Sequence, residues 1–265
     1  LASGHEIVAL RRPGATTPIP LVNEPKWIDG RLDDDWSAEL EGCATLVHFA
    51  AQGVSPQPTN WNLSLDVNVR QSILLVESAL KAGVARIIAC GSCMEYGRSG
   101  ERYDFIPVDA PLEPLGPYAT SKAAFSFALG AMARSSGSTF QLFRPFHLYG
   151  EGQHESNLWP SIREAALAGD DFPMTPGEQI RDFQRVEDAA ALFVKAITQR
   201  DLPSRTLLVQ NLGSGVPITL KDFAARCWKD WGAKGKILIG KLPYRDNEVM
   251  RFVPEIQQHT IRDHE

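Results

Sequence analysis

The stretch RIIACGSCMEYG, residues 86–97, opens on an apolar, β-rich run and closes in a turn. A continuous apolar run of this length, bounded by turn signals, predicts for residues 86–92 a strand buried on both faces, as in a parallel sheet. The carboxyl end of that strand carries two thiols, Cys90 and Cys93, and one hydroxyl, Ser92. A redox Cys-x-x-Cys pair needs its first thiolate at a helix N-terminus, where partial positive charge lowers its pKa. Here Met94-Glu-Tyr-Gly-Arg-Ser-Gly100 follows, which is a turn. A papain-like nucleophile would be followed at once by an aromatic residue, and Met94 fills that place. The cysteines therefore read as small residues closing a buried strand.

Working outward, similar runs occur at HEIVALRR (5–12), TLVHFAA (45–51), TFQLFRPF (139–146) and RTLLVQNL (205–212). Helical patterns separate them. Residues 63–82 carry Leu65, Val69, Ile73, Val76 and Leu80 at steps of three to four, with Gly83 as a natural stop. Residues 118–133, 157–168, 186–199 and 219–231 read as further helices, the last entered through Thr219 as a cap. Pro-rich stretches at 13–25 and 107–117 are loops. Strands alternating with helices predict an α/β fold, a doubly wound, Rossmann-like parallel sheet joined by right-handed crossovers, with ligands beyond the carboxyl ends of its strands.

Composition narrows the classes of function. The chain has 265 residues, 43% hydrophobic and 22% charged, enough to bury a substantial core. A net charge of −5, with Lys and Arg scattered, argues against a nucleic-acid partner. No apolar stretch reaches the roughly 18 residues needed to cross a bilayer, and the start lacks the pattern of a secretory signal. Four cysteines make a poor disulfide framework in a chain this long, and no Cys/His pairs stand at zinc-ligand spacing, so no metal is expected. A reducing, cytoplasmic setting fits these features.

The first residues, LASGHEIVALRR, look like the tail of a helix, a turn at Gly4 and a strand, and no Gly-rich phosphate loop occurs anywhere in the sequence. Either the parent protein has about 25 more residues ahead, the size of one strand-turn-helix unit, or it lacks that loop. The first alternative is the expectation.

A second polar constellation opens the helix at Tyr118-Ala-Thr-Ser-Lys122. One helical turn puts Tyr118 and Lys122 on the same face. An ammonium ~6 Å from a phenol, at an effective dielectric of ~20, favours the phenolate by ~3 kcal/mol, about two pKa units. Tyr118 is thereby a candidate proton shuttle near neutral pH. Such pairs also occur by chance on solvated helices, but this one follows a strand-end Ser in a chain of βα units.

With these pieces the chain resembles the extended short-chain dehydrogenase/reductase family, in its NAD(P)-dependent nucleotide-sugar epimerase/dehydratase branch, from its start to about residue 253. The matching segments occur in family order: HFAA (48–51), Asn68 of DVNV, GSCMEYG (91–97), PYATSK (117–122), LFRPFHLYG (142–150), IRDFQRVEDAA (180–190) and PYRDNE (243–248). The resemblance implies that Ser92 hydrogen-bonds the reacting sugar oxygen, that Tyr118 exchanges its proton, and that Lys122 tunes the Tyr and holds the nicotinamide ribose. It implies cofactor contacts at Leu32, Ala50, Ala51, Asn68 and Phe146, although core packing explains the alanines equally well. The strand ending in Leu10-Arg11-Arg12 carries arginines where NAD enzymes usually carry an acid, so NADP(H) is expected ahead of NAD(H). Solvated arginines at a loop edge are the alternative.

On the substrate side the resemblance implies a nucleoside diphosphate-sugar gripped by Arg181 and Arg245, with Asn157 and Leu158 on the diphosphate-sugar and Pro173, Met174 and Thr175 beside the base. Salt bridges for the arginines and an N-cap for Asn157 are the plain alternatives. His147 stands where relatives often carry Asn; it can donate to sugar or phosphate or be structural. Related 4,6-dehydratases place Asp-Glu directly after the strand-end hydroxyl residue, whereas this chain has Cys93 and Met94, which disfavours dehydration. That leaves 4-epimerisation, with 4-keto reduction by NADPH as the alternative and a non-catalytic NADP-binding regulator or scaffold as the contrasting class. The expected division is a dinucleotide-binding domain, 1–150 plus 185–212, and a nucleotide-sugar lobe, 151–184 plus 213–265. Relatives pair through the helices matching 63–82 and 118–133, which implies a homodimer.

Overall fold

The computed structural model describes residues 4–17, 19–54, 59–246 and 248–256. The polar residues 257–265 lie outside them, as do the first three residues, where the sequence suggests the tail of a helix. The chain divides into two compact units, one of residues 1–89, 116–140 and 199–207, the other of 90–115, 141–198 and 208–265.

The first unit is built on parallel strands. β1 (Val8–Arg11) pairs with β2 (Lys26–Asp29), and β3 (Thr45–His48) pairs with β4 (Arg86–Cys90), Thr45 lying opposite Arg86. Ile87, Ile88 and Ala89 are wholly buried, as the unbroken apolar run of β4 requires. Each such isoleucine contributes about 1.5–3 kcal/mol by leaving water. β2 follows the Pro-rich loop and was not expected: with only Trp27 and Ile28 half-buried, it is too short to signal itself.

The helix expected over 63–82 is interrupted. α1 (Trp61–Leu65) gives way to a π-helical segment, Asp66–Gln71, before α2 (Ser72–Lys81) resumes the ordinary spacing. Bonds that reach five residues support the wide turn. The Ser72 hydroxyl donates to Val67 O at 3.0 Å, and Gln71 Nε2 donates to Asp66 Oδ2 at 2.6 Å. Asn60 caps the start by accepting from Leu63 N, and Gly83, at φ +81°, ends α2 in the left-handed conformation that glycine adopts freely. α3 (Gly116–Ser135) starts through Pro117, whose fixed φ suits a first helical turn.

In the second unit the chain leaves β4 at Gly91, whose N–H donates to Phe143 O at 2.7 Å in β5 (Thr139–Pro145). Phe146, just past β5, donates its N–H to Leu212 O at 2.8 Å. β6 (His147–Tyr149), α4 (Leu158–Ala168), β7 (Phe172–Met174), β8 (Ile180–Arg185) and α5 (Val186–Thr198) follow. β9 (Leu207–Leu212), β10 (Pro217–Thr219), α6 (Leu220–Asp230), β11 (Ile237–Ile239) and β12 (Arg251–Phe252) complete the chain. β8 is the centre of a small sheet, antiparallel to β10 and parallel to β12 and β6. β7 and β11 form a parallel pair. α6 starts where Thr219 Oγ1 accepts from Asp222 N at 3.1 Å.

Among the described residues no helix is long and apolar enough to cross a membrane, and no cluster of three or more His, Cys, Asp or Glu could hold a metal ion. Among the described residues no disulfide joins Cys43, Cys90, Cys93 or Cys227.

Candidate active site

Each unit holds its own group of the residues singled out in the sequence. In the first unit, Tyr118 and Lys122 stand one turn apart at the start of α3, the Tyr half-buried and the Lys 4% exposed. The π segment turns Asn68 inward, where it is 2% exposed. Its Oδ1 accepts from Gln52 N at 2.6 Å, and its Nδ2 donates to Gln52 O at 2.9 Å and to Ser121 Oγ at 2.8 Å. Ser121 in turn donates to Tyr118 O at 2.8 Å. Asn68 thus ties the segment after β3 to the first turn of α3, the turn that carries both Tyr118 and Lys122.

His48, at the end of β3, is 5% exposed, with Nε2 2.9 Å from Ser72 Oγ. Burial, helped by the Lys122 charge, pushes its pKa down to about 3, so it is a neutral structural imidazole. Ala50 is exposed and Ala51 half-buried where the chain leaves β3. Neither side chain extends beyond Cβ, and the next residue, Gln52, is the one whose backbone Asn68 holds. Leu32 is half-buried in the turn after β2. Arg11 donates from Nε to Asp29 Oδ1 at 2.7 Å and lies over the Trp27 ring at 5.0 Å. The carboxylate that engages Arg11 weakens the basis for expecting NADP(H), leaving only exposed Arg12 of the pair.

In the second unit, Ser92 begins a short turn, Cys93–Glu95, and is 7% exposed. Its Oγ accepts from Met94 N at 3.2 Å, which leaves the hydroxyl proton for a further acceptor. Its N–H donates to Glu95 Oε1 at 2.8 Å, so Ser92 and Glu95 cap each other reciprocally. Glu95 stands one position beyond Cys93 and Met94, the two places that directly follow the strand-end hydroxyl residue. The structure buries it completely and pairs Oε2 with Arg144 Nε at 2.9 Å. Arg144 Nη1 donates to Tyr96 Oη at 3.0 Å and Val108 O at 3.1 Å, and Tyr96 Oη donates to Asn211 Oδ1 at 2.6 Å. Burial alone would lower the Arg144 pKa; the Glu95 charge and Tyr96 outweigh it and raise it. Burial likewise pushes the Cys93 thiol up to about 12, which makes it inert.

Arg181, 8% exposed, donates from Nη2 to Glu248 Oε1 at 2.9 Å and to Val249 O at 2.6 Å. Desolvation lowers its pKa, partly offset by Glu248. His147 is held neutral, near pKa 3, by burial and the Arg181 charge, and its Nδ1 has no hydrogen-bond partner among the described residues. Arg245 is exposed. Asn157 occupies the N-cap position of α4 without a side-chain capping bond. Pro173 is exposed, Thr175 is half-buried, and Met174 is buried with Ile162 and Ala224, against which Leu158 packs. Phe146 is buried with Tyr96, Ile106 and Phe252.

The residues that sequence reasoning missed are Ser121, Glu95 and Arg144. Gly91 was the available signal for Glu95: a Cβ there would lie 2.6 Å from Glu95 Oε1 and 3.1 Å from Phe143 O, so a glycine four residues earlier makes room for the carboxylate.

The model of the NAD dependent epimerase/dehydratase family matches residues 1–209. The UDP-glucose 4-epimerase of Corynebacterium glutamicum is 24% identical over 251 residues, covering 86% of this chain and 73% of that protein. The chain spans 48% to 73% of the length of the curated relatives it matches. Among solved structures, MoeE5 in complex with UDP-glucuronic acid and NAD superposes with a TM-score of 0.82 at 26% identity, covering 97% of this chain and 84% of the other. TunA, an NAD dependent NDP-hexosamine 5,6-dehydratase, gives 0.80 at 27% identity, covering 96% and 82%. The family description and both solved structures name NAD, and a preference for NADP(H) finds no support.

Proposed function

The chain belongs to the NAD dependent epimerase/dehydratase family, and on that premise we propose that it inverts C4 of the sugar in a UDP-sugar, with NAD as the resident cofactor. The observation that carries this reading is the buried Lys122 one turn beyond Tyr118, on a helical turn that Asn68 fastens through Ser121. NAD, held by Asn68, Tyr118 and Lys122 among others, would supply reversible hydride exchange at C4. Tyr118 Oη takes the proton of the C4 hydroxyl and gives it back, Lys122 stabilises the phenolate, and the Ser92 hydroxyl donates to the same sugar oxygen. Arg181 and Arg245 hold the diphosphate, Arg181 turning part of its fork away from Glu248 to do so.

Dehydration is the less suited reading despite the likeness to TunA. Elimination needs an acid and a base next to the strand-end hydroxyl, and the candidates are an inert thiol at Cys93, a thioether at Met94, and a Glu95 carboxylate committed to Arg144. Net reduction with NADPH rested on Arg11 and Arg12, and the first is engaged by Asp29.

The same reading keeps the dinucleotide-binding division at 1–150 plus 185–212 and the nucleotide-sugar lobe in the remainder, and places the protein in the cytoplasm as a homodimer. The decisive test uses the full-length protein, a panel of UDP-sugars and the Tyr118→Phe variant. Turnover should fall by about 10²–10⁴-fold while NAD and UDP-sugar affinities stay within a few-fold of the unaltered protein. Unchanged turnover would refute the assignment of the proton shuttle.

A further inference from the structure

The turn that carries Ser92 is held from beneath by a buried ionic network. Glu95 is fully buried and Arg144 is 5% exposed, and the carboxylate divides its two oxygens between the turn and the guanidinium, Oε1 accepting from Ser92 N–H and Oε2 from Arg144 Nε–H. The guanidinium is fixed in its turn by Tyr96 Oη, by Val108 O and by the Tyr96 ring 4.8 Å below it. Asn211 closes the network, accepting from Tyr96 Oη and donating from Nδ2 to Ile106 O at 2.8 Å. A buried pair of this kind is seldom a net source of stability against a well-packed apolar pair, so its retention calls for another account. Its geometry supplies one, because the charged bond chain ends on the backbone of the residue whose hydroxyl meets the sugar.

We propose that Glu95, locked by Arg144, is a positioning residue that fixes the Ser92 hydroxyl for proton transfer at the sugar oxygen. The inference rests on the epimerase reading given above. Gly91 is part of the device, since the carboxylate occupies the space that a side chain at that position would fill. A carboxylate is needed because both partners are donors. Glutamine offers one acceptor and one donor, so its amide satisfies either Ser92 N–H or Arg144 Nε–H and sets a donor against the other.

The test is a double-mutant cycle on kcat and KM with Glu95→Gln and Ser92→Ala, in the full-length protein with NAD and its UDP-sugar. A displacement of about 1 Å in a reacting group costs on the order of 100-fold. Glu95→Gln should lower kcat by roughly 10- to 100-fold with KM and NAD affinity nearly unchanged. Ser92→Ala should then cost far less in the Glu95→Gln protein than alone, since the hydroxyl is already misplaced. Losses that multiply, or an unaltered kcat in Glu95→Gln, would overturn the inference while leaving the epimerase reading intact. A Ser92→Ala protein that turns over normally, or no turnover by the unaltered protein, would overturn that reading, and the inference would fall with it. If Glu95→Gln does not fold, Arg144→Lys, which keeps the charge but loses the fork, should show the same selective kcat loss and the same non-additivity.

Discussion

His48 and His147 are both held neutral by burial, each with its pKa lowered to about 3, and each faces a cation, Lys122 and Arg181 respectively. An unfolded histidine takes up its proton near pH 6.5. Between that value and about 3 the unfolded chain therefore binds more protons than the folded one, and stability declines as the pH falls through the window. The melting temperature should drop between pH 7 and pH 5, and His48→Gln, which keeps a partner for Ser72, should flatten part of that drop; calorimetry that finds the same slope in both proteins would contradict it. At this scale the sequence offers candidates where the signal is local: Ser92, Tyr118, Lys122 and Asn68 each sit in a short motif. Glu95 is not among them, since its meaning depends on an arginine 49 positions away that only folding brings beside it.

Elements were legible where one physical demand dominates a run of residues. β4 and β5 are continuous apolar segments and could hardly be anything else. β8 escaped because Ile-Arg-Asp-Phe-Gln-Arg turns Arg181, Asp182 and Gln184 inward, so a central strand reads as a polar loop. Asp182, wholly buried, accepts from Ser214 N at 2.9 Å and Ser214 Oγ at 3.0 Å, contacts that no local pattern encodes. The π segment escaped because its apolar spacing imitates a regular helix, while Asn68 at its centre obeys a different requirement. Replacing Asn68 with Leu would strand the N–H and C=O of Gln52, each at a cost of about 1–3 kcal/mol. The denaturant midpoint should fall accordingly. Turnover should fall too, because the first turn of α3 loses its tie through Ser121. A variant with unchanged midpoint would show that the tie is dispensable.

At the scale of the molecule, the first unit exposes large apolar side chains on the two helices expected to pair subunits. Trp61 is 52% exposed and Phe127 68%, with Leu63 and Leu65 near 40%. Burying them against a second copy is the simplest remedy for such a surface. Sedimentation at micromolar concentration should report a dimer, and Phe127→Glu should shift it to monomer; a monomeric unaltered protein would refute the proposal. Fold class was legible at this scale because the alternation of runs carries it, whereas the small sheet around β8 was not, because β10 and β12 are only three and two residues long.

The wide turn at 66–71 also sets the phase of everything before it. A helix that absorbs one additional residue without unwinding keeps the parts on either side on independent bearings. Excising a residue there would restore uniform pitch and swing Trp61 and Leu63 by about 100° around the axis. The straighter rod would then turn its exposed apolar side to a different bearing, so the irregularity works as an angular adjustment between that outer face and the placement of an amide within.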